Sequence, residues 1–226
     1  MKKIICLLLA VQLFYIPAFA LKGIVTDPND LPYLPPEGTQ ETPASGESPS
    51  SWAAGEVAAA EEAGLVPQLT GSPAYQDTIT REQFAELAVQ MVETALGRAL
   101  PADPAGTFSD CTNPAVRKAS RAGIVTGVGD GRFDPATPTN REQIAAMIHR
   151  AITFLERENK TDYVEKFEDL SLYTDVDQIS SWAVQSMGIL AHNRIMLGTS
   201  DTLISPKTSC TVEQAILLLY RVYGRT

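Results

Sequence analysis

A four-residue string returns three times along this chain: Thr80-Arg81-Glu82-Gln83, Asn140-Arg141-Glu142-Gln143 and Thr211-Val212-Glu213-Gln214. Each copy opens a run of apolar residues at three- and four-residue steps. Phe84, Leu87, Ala88, Met91, Val92 and Ala95 follow the first; Ile144, Met147, Ile148, Ala151, Ile152 and Leu155 the second; Ala215, Leu218, Leu219 and Val222 the third. That spacing gathers the apolar side chains on one stripe of a helix. Thr or Asn with Gln three positions on is a capping box, so each string predicts a helix start. Ahead of each lies a shorter helical pattern ending in Ala63-Gly64-Leu65-Val66, Ala122-Gly123-Ile124-Val125 or Asn193-Arg194-Ile195-Met196. From Gly64, Gly123 and Arg194 to the cap residue the distances are 16, 17 and 17 positions. Trp52 lies 28 positions before Thr80 and Trp182 lies 29 before Thr211.

The unit is a helix, a Gly/Asp/Pro loop and a longer helix. One such unit has too little core to stand alone, whereas three can close on a shared one. The expected fold is therefore all-α: three helix-loop-helix repeats, at 51–100, 107–157 and 173–226, in one domain of approximate threefold symmetry. Acidic spacers at 156–162 and 165–169 join the second and third units.

The N-terminus reads differently. Lys2 and Lys3 precede an apolar run over 4–16 that only Gln12 interrupts, and Pro17 leads into Ala18-Phe19-Ala20. The run is shorter than the ~20 residues a membrane span needs. It reads as a secretory signal peptide over 1–20, cut after Ala20, with a retained anchor as the alternative. The chain is then exported and has no membrane span after cleavage. Cleavage removes Cys6 and leaves Cys111 and Cys210. An even pair in an oxidising compartment reads as a disulfide, or as two small buried apolar side chains; spacing leaves both open. Six prolines among Gly, Ser, Thr and Glu over 21–50 predict an extended linker that buries too little to order itself.

Charge removes one class of partner. The chain carries 27 acidic and 18 basic residues, a net charge of −9; without residues 1–20, which hold two lysines and no acid, it is −11. Such a chain does not follow a phosphate backbone by bulk charge, so nucleic acid is not the expected partner. His149 and His192 lie 43 positions apart without a ligand-spaced neighbour, which gives little material for zinc or for a Cys/His nucleophile. The loop from Gly127 to Gly131 fails the dinucleotide fingerprint because Arg132 stands where a third glycine is needed and no strand precedes it. Asp130 and Asp134 lack the ligand ladder and closing Glu of an EF-hand. Glu61 and Glu62 are helix neighbours and point apart. No catalytic residue, cofactor or metal site is expected.

Arg81 and Arg141 call for another explanation. A cation in a first helical turn opposes the helix dipole. Held there twice, it is expected to face an anion that it shares with the free N–H groups, or a loop aspartate such as Asp130 or Asp134. Trp52 and Trp182 each stand at the start of a short helical pattern, where a tryptophan reads as core. Glu82 and Glu142 complement the helix N-terminus.

These residues carry a resemblance to the S-layer homology family. Its pattern is matched by Phe108-Ser109-Asp110 and Tyr173-Thr174-Asp175, Trp52-Ala53 and Trp182-Ala183, and Gly123-Ile124-Val125-Thr126-Gly127. Gly131-Arg132-Phe133-Asp134-Pro135 and Ile79-Thr80-Arg81-Glu82 continue it, and the likeness spans Trp52 to Gly224. The second unit lacks the tryptophan, with Cys111 at that position, so its first helix is expected to be trimmed, and the third has Val212 for the family's Arg and Arg194 for its Gly. The resemblance implies a three-pronged, spindle-like helical domain and a non-catalytic anchor at the bacterial cell wall or S-layer surface. It implies binding of an acidic, often pyruvylated, secondary cell-wall polysaccharide, or of peptidoglycan itself, in grooves between repeats. The candidate ligand-binding set that it implies is Arg81, Arg141, Trp52, Trp182, Glu82, Glu142, Asp110 and Asp130. In that set the arginines clamp acidic groups, and the tryptophans are plates for a sugar face as the alternative to core. The glutamates orient the arginine or sugar hydroxyls as the alternative to complementing the helix N-terminus. The competing reading is a protein–protein or S-layer self-assembly module that binds no glycan.

Overall fold

The computed structural model of the chain describes residues 48–104 and 106–226. The expected signal peptide, and the expected linker except Ser48, Pro49 and Ser50, lie outside the described residues. Within them the fold is all-α, as the periodicity requires. Six helices follow one another: α1 (Ala54–Glu62), α2 (Arg81–Leu96), α3 (Pro114–Arg121), α4 (Arg141–Asn159), α5 (Val184–His192) and α6 (Val212–Tyr223), with a single 3₁₀ turn at Val176–Gln178. No described residue lies in a strand, and no described helix is long and apolar enough to cross a membrane.

The three long helices begin where the recurrent string predicts. Thr80, Asn140 and Thr211 each hold an extended backbone and accept from the N–H of the Gln three positions on, whose side chain accepts in return from the cap N–H. α3 uses a different device, with Asn113 as cap and Pro114 in the first turn, where a missing N–H costs nothing. The short helices end in a left-handed residue, Gly64 at φ 72°, Gly123 at 75° and Arg194 at 56°. Two glycines there are expected; Arg194 adopts the same conformation at a cost of about 1–2 kcal/mol.

The helices do not pair as the sequence units suggest. α2, α4 and α6 meet at the centre, and each short helix packs on the long helix of another unit: α3 on α2, α5 on α4, and α1 on α6. The unit legible in the sequence is therefore split in space. Phe84, Leu87, Met91, Ile144, Ile148, Ile152 and Leu155 fill the shared core, with Ile79, Ile124 and Phe133 from the connecting segments. The acidic spacer lies over α5 at Gly188, where an added Cβ would stand 2.9 Å from the Glu168 Cβ.

The segments ahead of the long helices tie the units together. Ile79 N–H donates to the Cys210 carbonyl (2.9 Å), Cys210 N–H to the Thr139 carbonyl (3.0 Å) and Thr139 N–H to the Ile79 carbonyl (3.0 Å), closing a ring. Cys111 and Cys210 are buried thiols that are not joined in a disulfide, so the second reading of the cysteines, as small packed side chains, holds.

Closing that ring brings the first helix onto the last. Arg221 of α6 holds Glu56 of α1 in a bidentate pair, Nε to Oε1 at 3.0 Å and Nη2 to Oε2 at 2.9 Å, with both side chains almost fully buried. Removing one partner strands a buried charge, so Glu56→Ala should lower unfolding stability by about 3–5 kcal/mol. Urea denaturation followed by circular dichroism would measure it. A midpoint within error of the parent would mean that α1 is not fastened there.

Candidate functional site

The three strings place their residues at the junctions between units. The first-turn N–H groups expected to face a ligand are occupied. Those of Arg81, Arg141 and Val212 donate to the Thr137, Thr208 and Asp77 carbonyls, and those of Glu82, Glu142 and Glu213 to Pro135, Pro206 and Tyr75. The third goes to the cap side chain in each case. Every donor of the first turn is thus spent on the loop of another unit or on the cap, and a ligand would find none free there.

The arginines hold loops. Arg81 Nε donates to the Phe133 carbonyl (2.9 Å) and its Nη2 to Thr126 (3.0 Å). Arg141 repeats this in the next unit, Nε to Ile204 (2.9 Å) and Nη2 to Leu197 (2.5 Å). Arg81 is half-buried, its guanidinium over the Phe133 ring at 4.8 Å; Arg141 is 0% exposed, and its Nη1 meets no acceptor among the described residues. Burial pulls both guanidinium groups below their ordinary range, with Asp134 opposing the shift at Arg81. The carbonyls they take flank tight loops. Thr126 and Leu197 stand just before Gly127 and Gly198, where a Cβ would lie 2.7 Å from the Arg132 carbonyl oxygen and 2.4 Å from that of Ser200.

Asp110 holds the other side of the same residue. Its carboxylate accepts from Phe133 N–H (2.8 Å) and Asp134 N–H (2.9 Å), and Asp175 likewise from Ile204 N–H (2.9 Å) and Ser205 N–H (2.8 Å). Phe133 and Ile204 are each bracketed, N–H by an aspartate of their own unit and C=O by an arginine of the preceding one. Seven positions before Thr80, where Phe133 and Ile204 stand before Asn140 and Thr211, the first unit has Pro73. Proline has no N–H to bracket, and the arginine position that would serve this loop is Val212. The substitution of Val212 for Arg therefore accompanies a loop of different chemistry. Sequence inspection found Asp110 but missed Asp175 as its counterpart, although Tyr173-Thr174-Asp175 carried the signal.

The glutamates face the short helices. Glu213 accepts from the N–H and hydroxyl of Ser50, both at 2.8 Å. Glu142 accepts from Ser180 in the same way, at 2.9 and 3.0 Å, and from Lys207 Nζ at 2.5 Å. At Glu82 the described residue that approaches from that direction is a thiol, Cys111 Sγ at 3.8 Å. The second unit is short here: Pro114 follows Asp110 by four positions, whereas Val184 follows Asp175 by nine. The missing stretch is the one that carries Ser180 and Trp182 in the third unit, while α3 itself is nearly full length. Trp52 is half-buried against the core and Trp182 is 55% exposed. Asp130 sits exposed at a loop tip at φ 51°, away from these contacts. Among the described residues no group of His, Cys, Asp and Glu is placed to hold a metal ion.

Residues 109–145 and 172–216 match the S-layer homology domain family, which places the match on the second and third units. A stretch of 105 residues is 36% identical to part of an endoglucanase of Bacillus sp. (strain KSM-635). It takes in 43% of this chain and 11% of that enzyme, so the chain spans a small part of that relative and its catalysis does not carry over. S-layer homology domains are non-catalytic modules that attach proteins to the cell surface.

Two predictions follow from the bracketed loops. Arg141→Ala should cost about 2–4 kcal/mol by leaving two carbonyls and a cavity behind, and the half-buried Arg81→Ala less; thermal unfolding of the two variants would rank them. The Phe133 N–H, with that of Asp134, holds the Asp110 carboxyl below the usual carboxylate range. Its contribution to stability is present above the unfolded value of about 3.9 and is lost as pH falls through the lower folded value. Asp110→Asn should flatten that acid limb of the stability–pH curve, and an unchanged limb would remove Asp110 from the account.

Proposed function

We propose that this chain, with S-layer homology segments in its second and third units, is an exported wall anchor. In this reading it binds an acidic cell-wall polysaccharide in the grooves between its units. The observation that carries the reading is the exposed Trp182 indole beside a junction where Ser180, Glu142 and Lys207 are locked together. An open indole offers a flat apolar face to sugar C–H groups, and polar groups fixed beside it give direction to hydroxyls. Arg81, Arg141 and Asp110 shape the groove by holding its loops, and Glu82 and Glu142 by seating the short helices. Trp52 serves a second groove less openly. The ring through Ile79, Thr139 and Cys210 supports an approximately threefold, three-pronged arrangement of units at 51–100, 107–157 and 173–226. Export runs through the signal peptide at 1–20.

One observation favours the interaction-module reading: Phe167 and Leu172, on the spacer between the second and third units, are 59% and 72% exposed. A discrete oligomer in light scattering, without glycan, would support it.

The test is co-sedimentation of the protein with cell-wall sacculi of its host, before and after acid extraction of the phosphodiester-linked polysaccharide. Binding should be lost on extraction, and Trp182→Ala should weaken it roughly tenfold without loss of helicity. Binding that survives extraction would move the ligand to peptidoglycan. No binding to either would reject the anchor.

A further inference from the structure

The three junctions have the same framework and different chemistry. Four positions before each long-helix cap stand Gln76, Ala136 and Lys207; two positions before each short helix stand Trp52, Thr112 and Trp182. The framework brings each pair to one junction, because the short helix of one unit packs on the long helix of another.

Resting on the anchoring reading above, we infer that only the junction between the second and third units takes a carboxylate-bearing sugar, so that each chain holds one acidic-glycan site. Lys207 Nζ lies 2.5 Å from Glu142 Oε1 and 2.6 Å from Ser180 Oγ. Glu142 is 3% exposed, and the Lys207 side chain 49%. The inner carboxylate is thus neutralised from within, and an ammonium has three donors, of which these two contacts use two. The third remains for an arriving carboxylate, and Ser180, which shares the ammonium, lies two residues before the exposed Trp182. A charge-assisted bond of that kind discriminates against the uncharged sugar by about 10- to 100-fold.

The other junctions lack the cation at this position. Between the third and first units Gln76 takes the lysine's place, its Nε2 3.4 Å from both Ser50 Oγ and Glu213 Oε2 and 3.0 Å from the Ser48 carbonyl. An amide leaves the Glu213 charge uncompensated from that side, and Glu61, bonded to the Tyr75 hydroxyl, adds a second carboxylate nearby. That groove repels an acid and accepts a neutral sugar on Trp52. Between the first and second units Ala136 and Thr112 supply neither charge nor ring, and the thiol of Cys111 faces Glu82.

Calorimetric titration with a pyruvate-ketal N-acetylhexosaminide, and with its carboxyl methyl ester, tests this on the full chain. The parent should bind the acid at one site per chain and the ester about 10- to 100-fold more weakly. Lys207→Gln should bring the acid down to the ester's affinity while circular dichroism at the titration temperature matches the parent, even though loss of the Glu142 counter-charge lowers its melting temperature. Gln76→Lys should raise the count to two. Equal affinity for acid and ester, undiminished acid binding by Lys207→Gln, or two acid sites in the parent would overturn the inference, as would a single site in Gln76→Lys. If the parent pellets with sacculi but fails these tests, the single acidic site falls and the anchor stands. If it neither pellets nor binds either sugar, both fall.

Discussion

The structure depends on three backbone hydrogen bonds that close a ring, Ile79 to Cys210, Cys210 to Thr139 and Thr139 to Ile79. Each joins residues far apart in sequence, so each costs chain entropy to form. What repays that cost is burial: Ile79, Thr139 and Cys210 lie in the interior, and the helices that start next to them carry the core. The ring also fixes where the first-turn donors of α2, α4 and α6 point. Those donors meet carbonyls of the neighbouring loop, which is why a helix start that elsewhere could bind an anion is here a structural joint.

From this joint the rest follows by satisfaction of polar groups. Tight loops ending at Phe133 and Ile204 carry backbone groups into a buried place, where each must be paired. Aspartates of the same unit take the N–H groups, and arginines of the preceding unit take the carbonyls. The first unit, with Pro73 at that point, has no N–H for an aspartate to take, and Val212 occupies the third arginine position. A cation in a first helical turn, unfavourable by the dipole argument alone, is explained by carbonyl oxygens that the isolated helix does not contain.

Parts of this were legible beforehand. The capping boxes at Thr80, Asn140 and Thr211 gave the long helices their starts to the residue, because capping is local chemistry between positions three apart. The all-α class followed from apolar periodicity. The shortened second unit was visible in the lack of a tryptophan, although the loss lies ahead of α3 and not within it. Asp175 stood in the Tyr173-Thr174-Asp175 motif without its role as the counterpart of Asp110, and Lys207 was not found at all: nothing in its own neighbourhood marks it, and its partner Glu142 lies 65 positions away.

The sequence by itself determined the helices, their caps and the threefold recurrence, since each rests on contacts within a few residues. Only the tertiary structure decided which helix packs on which, and with that the fate of the conspicuous side chains. Arg141 went to the interior, Trp182 to solvent, and Glu142 to a latch with Ser180 and Lys207. The physical reason is that short helices bury their stripes on the long helix of another unit. The chemistry of each groove is therefore assembled from segments that the linear repeat keeps apart.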